Sequence, residues 1–561
     1  MAQHGSALAA SHHLAAGRAP DLLLARLAAN EAALVGVCEL LTAEATAKRR
    51  ITPAGEWLLD NFYLIEEHIR TAERHLPKGY SRELPRLARG PSAGRPRVYD
   101  IALETIAHGD GRIDTESLSR FVAAYQTVTA LTLGELWAIP IMLRLAAIEN
   151  LRRVAKRIAK DWAERNLADA WATQMTETAD QDPKSLILVI ADMARSNPPL
   201  NSAFVAELAR QLQGRGPALA LPLTWIEQRL SESGLTMAQL VQAENQQQAA
   251  NQVSISNSIG SLRILSAIDW RDFVEAMSVV EQTLREDPAG VYGRMDFATR
   301  DRYRHATEAL ARKGRLTEGE VARTAVDLAR AAAESAGSER AAHVGFYLID
   351  KGLPELERAA GVRLRRAEAL RRVLGAFPLP LYLGAIALTT AAITLGLMTL
   401  AAGLPLWLLL PFGIAALLAA SRLAAGLANW LATLLVLPQP LPRLDFAKGI
   451  PPASRTLVVV PTMLTSAAGI DDLAEALEVR FLANSDECLH FALLTDFRDA
   501  AEESLAEDEA LVQLARTRIT DLNAKYRGAR GGDIFFLLHR PRRWNAQERI
   551  WMGYERKRGK L

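Results

Sequence analysis

Cysteine is almost missing from this chain. Only Cys38 and Cys488 occur among 561 residues, roughly 450 positions apart. That spacing excludes a disulfide framework, and no Cys/His cluster near either residue suggests a structural zinc site. Both thiols are expected reduced, packed in helix and strand. An excess of one charge is missing too. Against 66 Lys and Arg stand 64 Asp and Glu, a net charge of +2, so no global field favours nucleic acid and no nucleic-acid partner is expected. A cleaved signal peptide is the third absence. The first 20 residues, with His12 and His13 among alanines, lack a charged start followed by an unbroken apolar core. Residues 1–19 read as a flexible N-terminus that begins in the cytoplasm. The length implies three or four units at roughly 150 residues each.

The most informative absence is local. Between Arg372 and Arg422 there is no Asp, Glu, Lys, Arg or His, and the next charge after Arg422 is Arg443. A span needs roughly 20 apolar residues, so the transmembrane region 377–437 holds two, at about 379–401 and 405–427, broken at Gly403-Leu404-Pro405. Residues 428–437 either continue the second span or lie in the interface. Arg363, Arg365, Arg366, Arg371 and Arg372 precede the first span, and Arg443, Lys448 and Arg455 follow the second. Positive flanks stay inside. The reading is a multi-pass protein of the lipid bilayer with both flanks cytoplasmic and an uncharged turn outside. Arg422 either snorkels to the cytoplasmic headgroups or faces a protein-lined polar path.

Residues 20–372 read as an all-α cytoplasmic region. In 151–162, Leu151, Val154, Ala155, Ile158 and Trp162 follow helical spacing, with Arg152, Arg153, Lys156, Arg157 and Lys160 on the other face. That basic face is either solvated or docked on anionic lipid. Breaks fall at Lys78-Gly79, Gly90-Pro91 through Pro96, Asn197-Pro198-Pro199, and Gly214 through Pro217. The Gln, Asn and Ser-rich stretch 242–258 reads as a polar helix face or a linker. No catalytic constellation or metal site stands out. His68 has no second histidine in ligand register and reads as a packing or surface residue.

From 456 the pattern alternates. Thr456 through Val460 is a β-rich run ending at Pro461, and 470–483 an acidic amphipathic helix. A second strand covers Leu489 through Thr495, a second helix 505–527, and a third strand Ile534 through Leu538. This order implies a parallel Rossmann-type sheet in 450–561 with ligands at the carboxyl ends of the strands. Asp496, just past the second strand, is placed to accept hydrogen bonds from a nucleoside or to cap the next helix. Asp499 follows it. The ending Trp551 through Leu561 sets four cations around a glycine and suits a diphosphate, or is simply a solvated terminus. His539-Arg540-Pro541-Arg542-Arg543-Trp544-Asn545 is ambiguous in the same way.

Together these strings resemble the bacterial cyclic β-1,2-glucan synthases. The matching stretches are Asp60 through Arg70, LTLGELWAIP at 131–140, Ser254 through Asn257, Asp287 through Tyr292, Met295 through Tyr303, and His343 through Asp350. Further on come Leu477 through Asn484, LLTDF at 493–497, HRPRRWN at 539–545 and WMGYERKRGKL at 551–561. They keep one order over about 500 residues.

The resemblance implies a bacterial inner-membrane glycosyltransferase of GT-A type. Such an enzyme takes glucose from UDP-glucose, extends a protein-attached β-1,2-glucan and closes it into a ring for the periplasm. By position it implies that Asp496 contacts uridine and that the Lys-x-Gly segment, Lys557 and Gly559, contacts the nucleotide. In such transferases a metal-binding Asp-x-Asp, a catalytic-base carboxylate and a Gln-x-x-Arg-Trp follow that segment. The sequence stops at Leu561 before all three, so catalytic residues are expected beyond Leu561. A divalent cation, Mg or Mn, is expected for the complete enzyme and none for this part, which is expected to be inactive alone. The alternative is a non-enzymatic, membrane-tethered helical scaffold with a sugar-nucleotide-binding-like domain.

Overall fold

The computed structural model describes residues 2–15, 20–76, 79–335, 338–363, 375, 377–436, 438 and 440–526, together with 532–561. Lys78, Arg365, Arg366, Arg371 and Arg372, Leu437 and Arg527, which figure in the sequence reading, lie outside the described residues. Contacts divide the chain into two units, Met1–Tyr292 with Arg302–Pro378, and Gly293–Asp301 with Leu379–Leu561.

The first unit is helical and organised by one element. Helix Leu133–Gln181 runs 49 residues, about 74 Å at 1.5 Å per residue. Its start is fixed by a capping box in which Thr132 and Glu135 bond each other's backbone N–H groups. Its first half enters an apolar core with Leu34, Ile65, Tyr99, Phe121 and Ile255. Its second half enters a separate core through Ala168, Ala172 and Met175, packed with Phe204, Leu208 and Ile226. Four residues of its basic stretch are tied to neighbours, Lys160 through a pair with Glu164 at 3.8 Å. Arg152 pairs with Glu149 at 2.5 Å, Arg153 bonds Asn150 at 2.8 Å, and Arg157 bonds Asn251 at 3.4 Å. Lys156 and Lys160 stay exposed.

The stretch 242–258 is no linker. It lies inside helix Met237–Ala267 and buries its polar face. Asn150 donates to Ser254 and Ser258 at 3.1 and 2.9 Å, and Glu244 accepts from Arg165 at 3.2 Å. Polar residues line this helix because they meet polar partners on other helices. At the N-terminus, Ala2–Ser11 is helical. The His4 ring stacks on His108, and His12 bonds Tyr125 and Asp100 at 2.8 and 3.1 Å. His68 is a packing residue. It is buried beside Arg144, whose Nε donates to its Nδ1 at 2.9 Å, and burial with that cation lowers its pKa to about 4.

Leu133 N–H donates to Glu318 Oε2 at 2.8 Å. Burial pushes the Glu318 carboxyl up to about 7 from 4.5; Glu308 and Glu135 add to the rise, and the Leu133 N–H opposes it. A raised folded-state value means the folded protein holds this proton more tightly than the unfolded chain does. The stabilisation is therefore complete below about pH 4.5 and is lost as pH rises through about 7. Thermal melts should show a fall in Tm between pH 5 and pH 8 that shrinks in Glu318→Gln. An equal fall in both proteins would refute this assignment.

The second unit opens with two helices, Pro378–Leu400 and Leu406–Leu435, each of mean hydropathy 1.9. Only 6% and 17% of their most apolar windows are buried, whereas core helices of such hydropathy in a soluble protein are enclosed. Both are long and apolar enough to cross a bilayer. The second continues past the expected 427, so 428–435 prolongs the helix. Tyr382 donates across to Asn429 at 2.7 Å, and Ala416, Ala420 and Ala424 form the second helix's buried stripe. Arg422 is exposed.

After the hairpin, residues 443–445 pair with Gly293–Asp301. Asp296 N–H donates to Arg443 O at 3.0 Å, Arg443 N–H to Thr299 Oγ1 at 3.1 Å, and Asp445 N–H to Arg294 O at 2.7 Å. The chain then forms a parallel sheet in the order β1-β2-β3, with β1 Thr456–Leu464, β2 Leu489–Phe497 and β3 Phe535–Arg540. Helices Ala467–Ala483 and Asp508–Tyr526 make the crossovers. Their side chains Leu477, Phe481, Ile519 and Leu522 pack with Val458, Phe491, Leu493 and Phe535 on one face of the sheet. On the alternate residues Leu457, Met463, Phe536 and Leu538 are exposed. A short antiparallel hairpin follows, β4 Arg543–Asn545 and β5 Ile550–Met552.

Candidate functional site at the strand ends

The strands run further than the sequence suggests, and this decides where Asp496 lies. It is not past the second strand but within it, paired in register with Met463 of β1 and Arg540 of β3. Parallel register puts paired residues on one face of the sheet, so the Asp496 carboxylate and the Arg540 guanidinium meet. Arg540 Nη2 donates to Asp496 Oδ2 at 3.0 Å.

The terminal segment is brought back over these ends by the β4–β5 hairpin. Trp544 meets Trp551 edge to face at 5.8 Å, and Trp551 exchanges backbone hydrogen bonds with Ala500 at 2.9 and 3.0 Å. Beyond β5, Glu555 and Arg556 adopt positive φ, 52° and 41°, turning the chain into the short helix Arg556–Lys560. Lys560 Nζ then donates to Asp496 Oδ1 at 2.7 Å and to Thr462 O of β1 at 2.6 Å. Arg540 also donates to Tyr554 O at 3.1 Å and Arg556 O at 3.3 Å. Arg556 pairs with Asp499.

Two glycines make this closeness possible. A Cβ on Gly553 would sit 2.4 Å from Asp496 Oδ2 and 2.7 Å from Arg540 Nη2. One on Gly559 would sit 2.2 Å from the Tyr554 carbonyl oxygen. Neither position accepts a side chain without displacing the cluster.

Of the three residues expected to contact a nucleotide, Asp496 and Gly559 are brought together. Lys557 is not; its side chain is exposed, and the lysine at Asp496 is Lys560. Lys560 and Arg540 were missed as site residues. Arg540 had a signal, since it follows a strand in the same cluster of cations as Arg542. Lys560 was one of the four cations grouped in 551–561, but its approach to Asp496 depends on the hairpin and the two left-handed residues.

Asp499 lies at the rim. The second cation cluster is structural in part: Arg542 is buried, forms a two-bond pair with Asp508, and donates to Arg498 O at 2.6 Å. Burial raises the Asp508 pKa, but the Arg542 bonds and the Leu505 N–H outweigh it and hold this carboxyl below its ordinary value. Burial lowers the pKa of His539, whose Nδ1 lies 2.9 Å from Thr495 Oγ1.

Asp496 is 3% exposed with both oxygens engaged. Each carboxylate oxygen carries two acceptor sites, so further N–H or O–H donors can be accepted without breaking either ion pair. Counting Asp496, Asp499, Arg540, Arg556 and Lys560, the cluster has one net positive charge, with Lys557 and Arg558 exposed beside it. This combination of a carboxylate acceptor, excess cations and close backbone is suited to a nucleoside diphosphate. Among the described residues no group of three or more His, Cys, Asp or Glu is placed to hold a metal ion.

No protein-family model matches the chain. Over 547 residues, 96% of its length, it is 34% identical to the cyclic beta-(1,2)-glucan synthase NdvB of Rhizobium meliloti (strain 1021). The chain spans 19% of that curated relative. The resemblance seen in the separate strings therefore extends along nearly the whole chain, against part of a much longer protein.

Proposed function

We propose that this chain is the membrane-anchored, nucleotide-sugar-binding part of a cyclic β-1,2-glucan synthase. The observation that carries the reading is the 34% identity along 96% of the chain. The Asp496 cluster at the carboxyl ends of three parallel strands supports it, because open α/β sheets bind their ligands there. On this reading UDP-glucose is the donor and a β-1,2-glucan the growing product. Asp496 accepts hydrogen bonds from uridine, and Arg540, Lys560 and the exposed Lys557 face the diphosphate, with Gly559 allowing close backbone approach. The helical region and the transferase domain are cytoplasmic, the hairpin lies in a bacterial inner membrane, and the glucan is destined for the periplasm.

No step here is routed through a divalent cation. We assign a Mg or Mn ion, with the general base, to the longer synthase. There it would neutralise the departing diphosphate. The test is the product linkage. Membranes holding the complete synthase, given radiolabelled UDP-glucose and Mg2+, should yield β-1,2-linked glucan. Exclusively β-1,4-linked product would overturn the assignment.

A further inference from the structure

Four segments distant in sequence converge on a cavity of about 340 Å3 in the helical unit, within the roughly 300–1,000 Å3 range of small-molecule sites. The turn Tyr80–Glu83 supplies Tyr80. The first turns of helix Leu133–Gln181 supply Gly134 and Trp137, helix Phe297–Lys313 supplies His305 and Glu308, and Glu318 begins the helix Glu318–Glu334. Gly134 and Trp137 belong to the LTLGELWAIP string, for which the nucleotide site has no use.

The lining selects a ligand class by exclusion. Glu308, joined by Glu318 when that carboxyl is ionised, sets a negative potential, while Arg312 at the rim is neutralised by Glu83 at 3.2 Å. That potential repels phosphates and nucleotides. Among the described residues no group of three or more His, Cys, Asp or Glu is placed to hold a metal ion, so these two carboxylates are not part of such a cluster. An apolar ligand would supply no donor to Glu308 or to the second oxygen of Glu318, whose Oε2 already accepts from Leu133 N–H. What remains is a neutral polyhydroxylated ligand. Its hydroxyls donate to carboxylates, and its C–H faces pack on the indole of Trp137 and the phenol of Tyr80. Glu318, with its pKa pushed up to about 7 mainly by burial, both donates and accepts near neutral pH. Gly134 keeps the cavity open beside Glu308, whose Oε1 lies 3.6 Å from where a Cβ would stand.

We infer that this cavity is a pyranose-binding site that holds a glucosyl unit of the glucan away from the nucleotide site. The choice of glucose rests on the proposed function; the neutral-sugar class rests on the lining. The experiment is calorimetric titration of the full chain in nanodiscs with β-1,2-linked glucotetraose, alongside a separate titration with UDP. Binding of the tetraose is expected, weakened at least tenfold by Trp137→Ala and about fivefold by Glu308→Gln, with UDP affinity unchanged in both variants. Glu308→Gln keeps size and packing, so it reads the site even where Trp137→Ala unfolds. If wild-type protein binds UDP but not the tetraose, or if Glu308→Gln binds the tetraose as wild type does, the cavity is not a sugar site and the nucleotide reading stands. If the tetraose binds with the expected variant losses while UDP does not, the cavity assignment holds and the nucleotide reading falls.

Discussion

Arg97→Met is expected to destabilise the helical unit by about 3–5 kcal/mol, the usual cost of orphaning a buried charge. Arg97 and Glu135 are 2% and 0% exposed. The guanidinium donates twice to the carboxylate, through Nε and Nη2 at 2.7 Å each, and once to Ala130 O at 2.9 Å. Glu135 has a second task. Its Oε2 accepts from Thr132 N–H and Oγ1 at 3.0 Å, closing the capping box of the 49-residue helix. Removing the cation leaves a carboxylate in the core at the start of the element that both cores are built on. The double variant Arg97→Met/Glu135→Leu should recover part of the loss, because it removes both charges, but not the share owed to the cap. Thermal unfolding of the three proteins measures this. A single variant as stable as wild type would show that the pair carries no structural burden.

The second large effect is at the nucleotide site. Asp496→Ala is expected to weaken UDP binding at least tenfold, about 1.4 kcal/mol. Two losses act together. The acceptor proposed for uridine disappears, and Lys560 and Arg540 lose the anion that gathers them. Gly553→Val should reproduce much of the effect with Asp496 intact, since its side chain would enter the space of the Asp496–Arg540 pair. If Asp496→Ala binds UDP as wild type does, the carboxylate has no part in the site.

How much of this was legible in the sequence differs by element. The pair of long apolar helices was, because a run free of charge and broken at Gly403-Leu404-Pro405 leaves few alternatives to two such helices. The order of strands and helices was also readable, but the strand ends were not. Pro461 looked like a terminus, yet β1 pairs only with β2 among the described residues, and an edge strand tolerates a missing N–H. Asp496 looked like a loop residue because a carboxylate in a strand is costly without a partner. Its partner, Arg540, lies 44 residues on and becomes visible only through the register. The polar stretch 242–258 was read as helix or linker for a similar reason: its partners Asn150 and Arg165 lie on another helix. Local pattern shows period, and cross-strand or cross-helix partners need the fold.

The central claim is that uridine diphosphate binds at the carboxyl ends of β1, β2 and β3. Hydrogen–deuterium exchange of the full chain in nanodiscs, with and without UDP, tests it most directly. Protection is expected in 489–497, 535–540 and 553–561, with helix Leu133–Gln181 unchanged. Unaltered exchange at those three segments under saturating UDP, or protection confined to the helical unit, would contradict it.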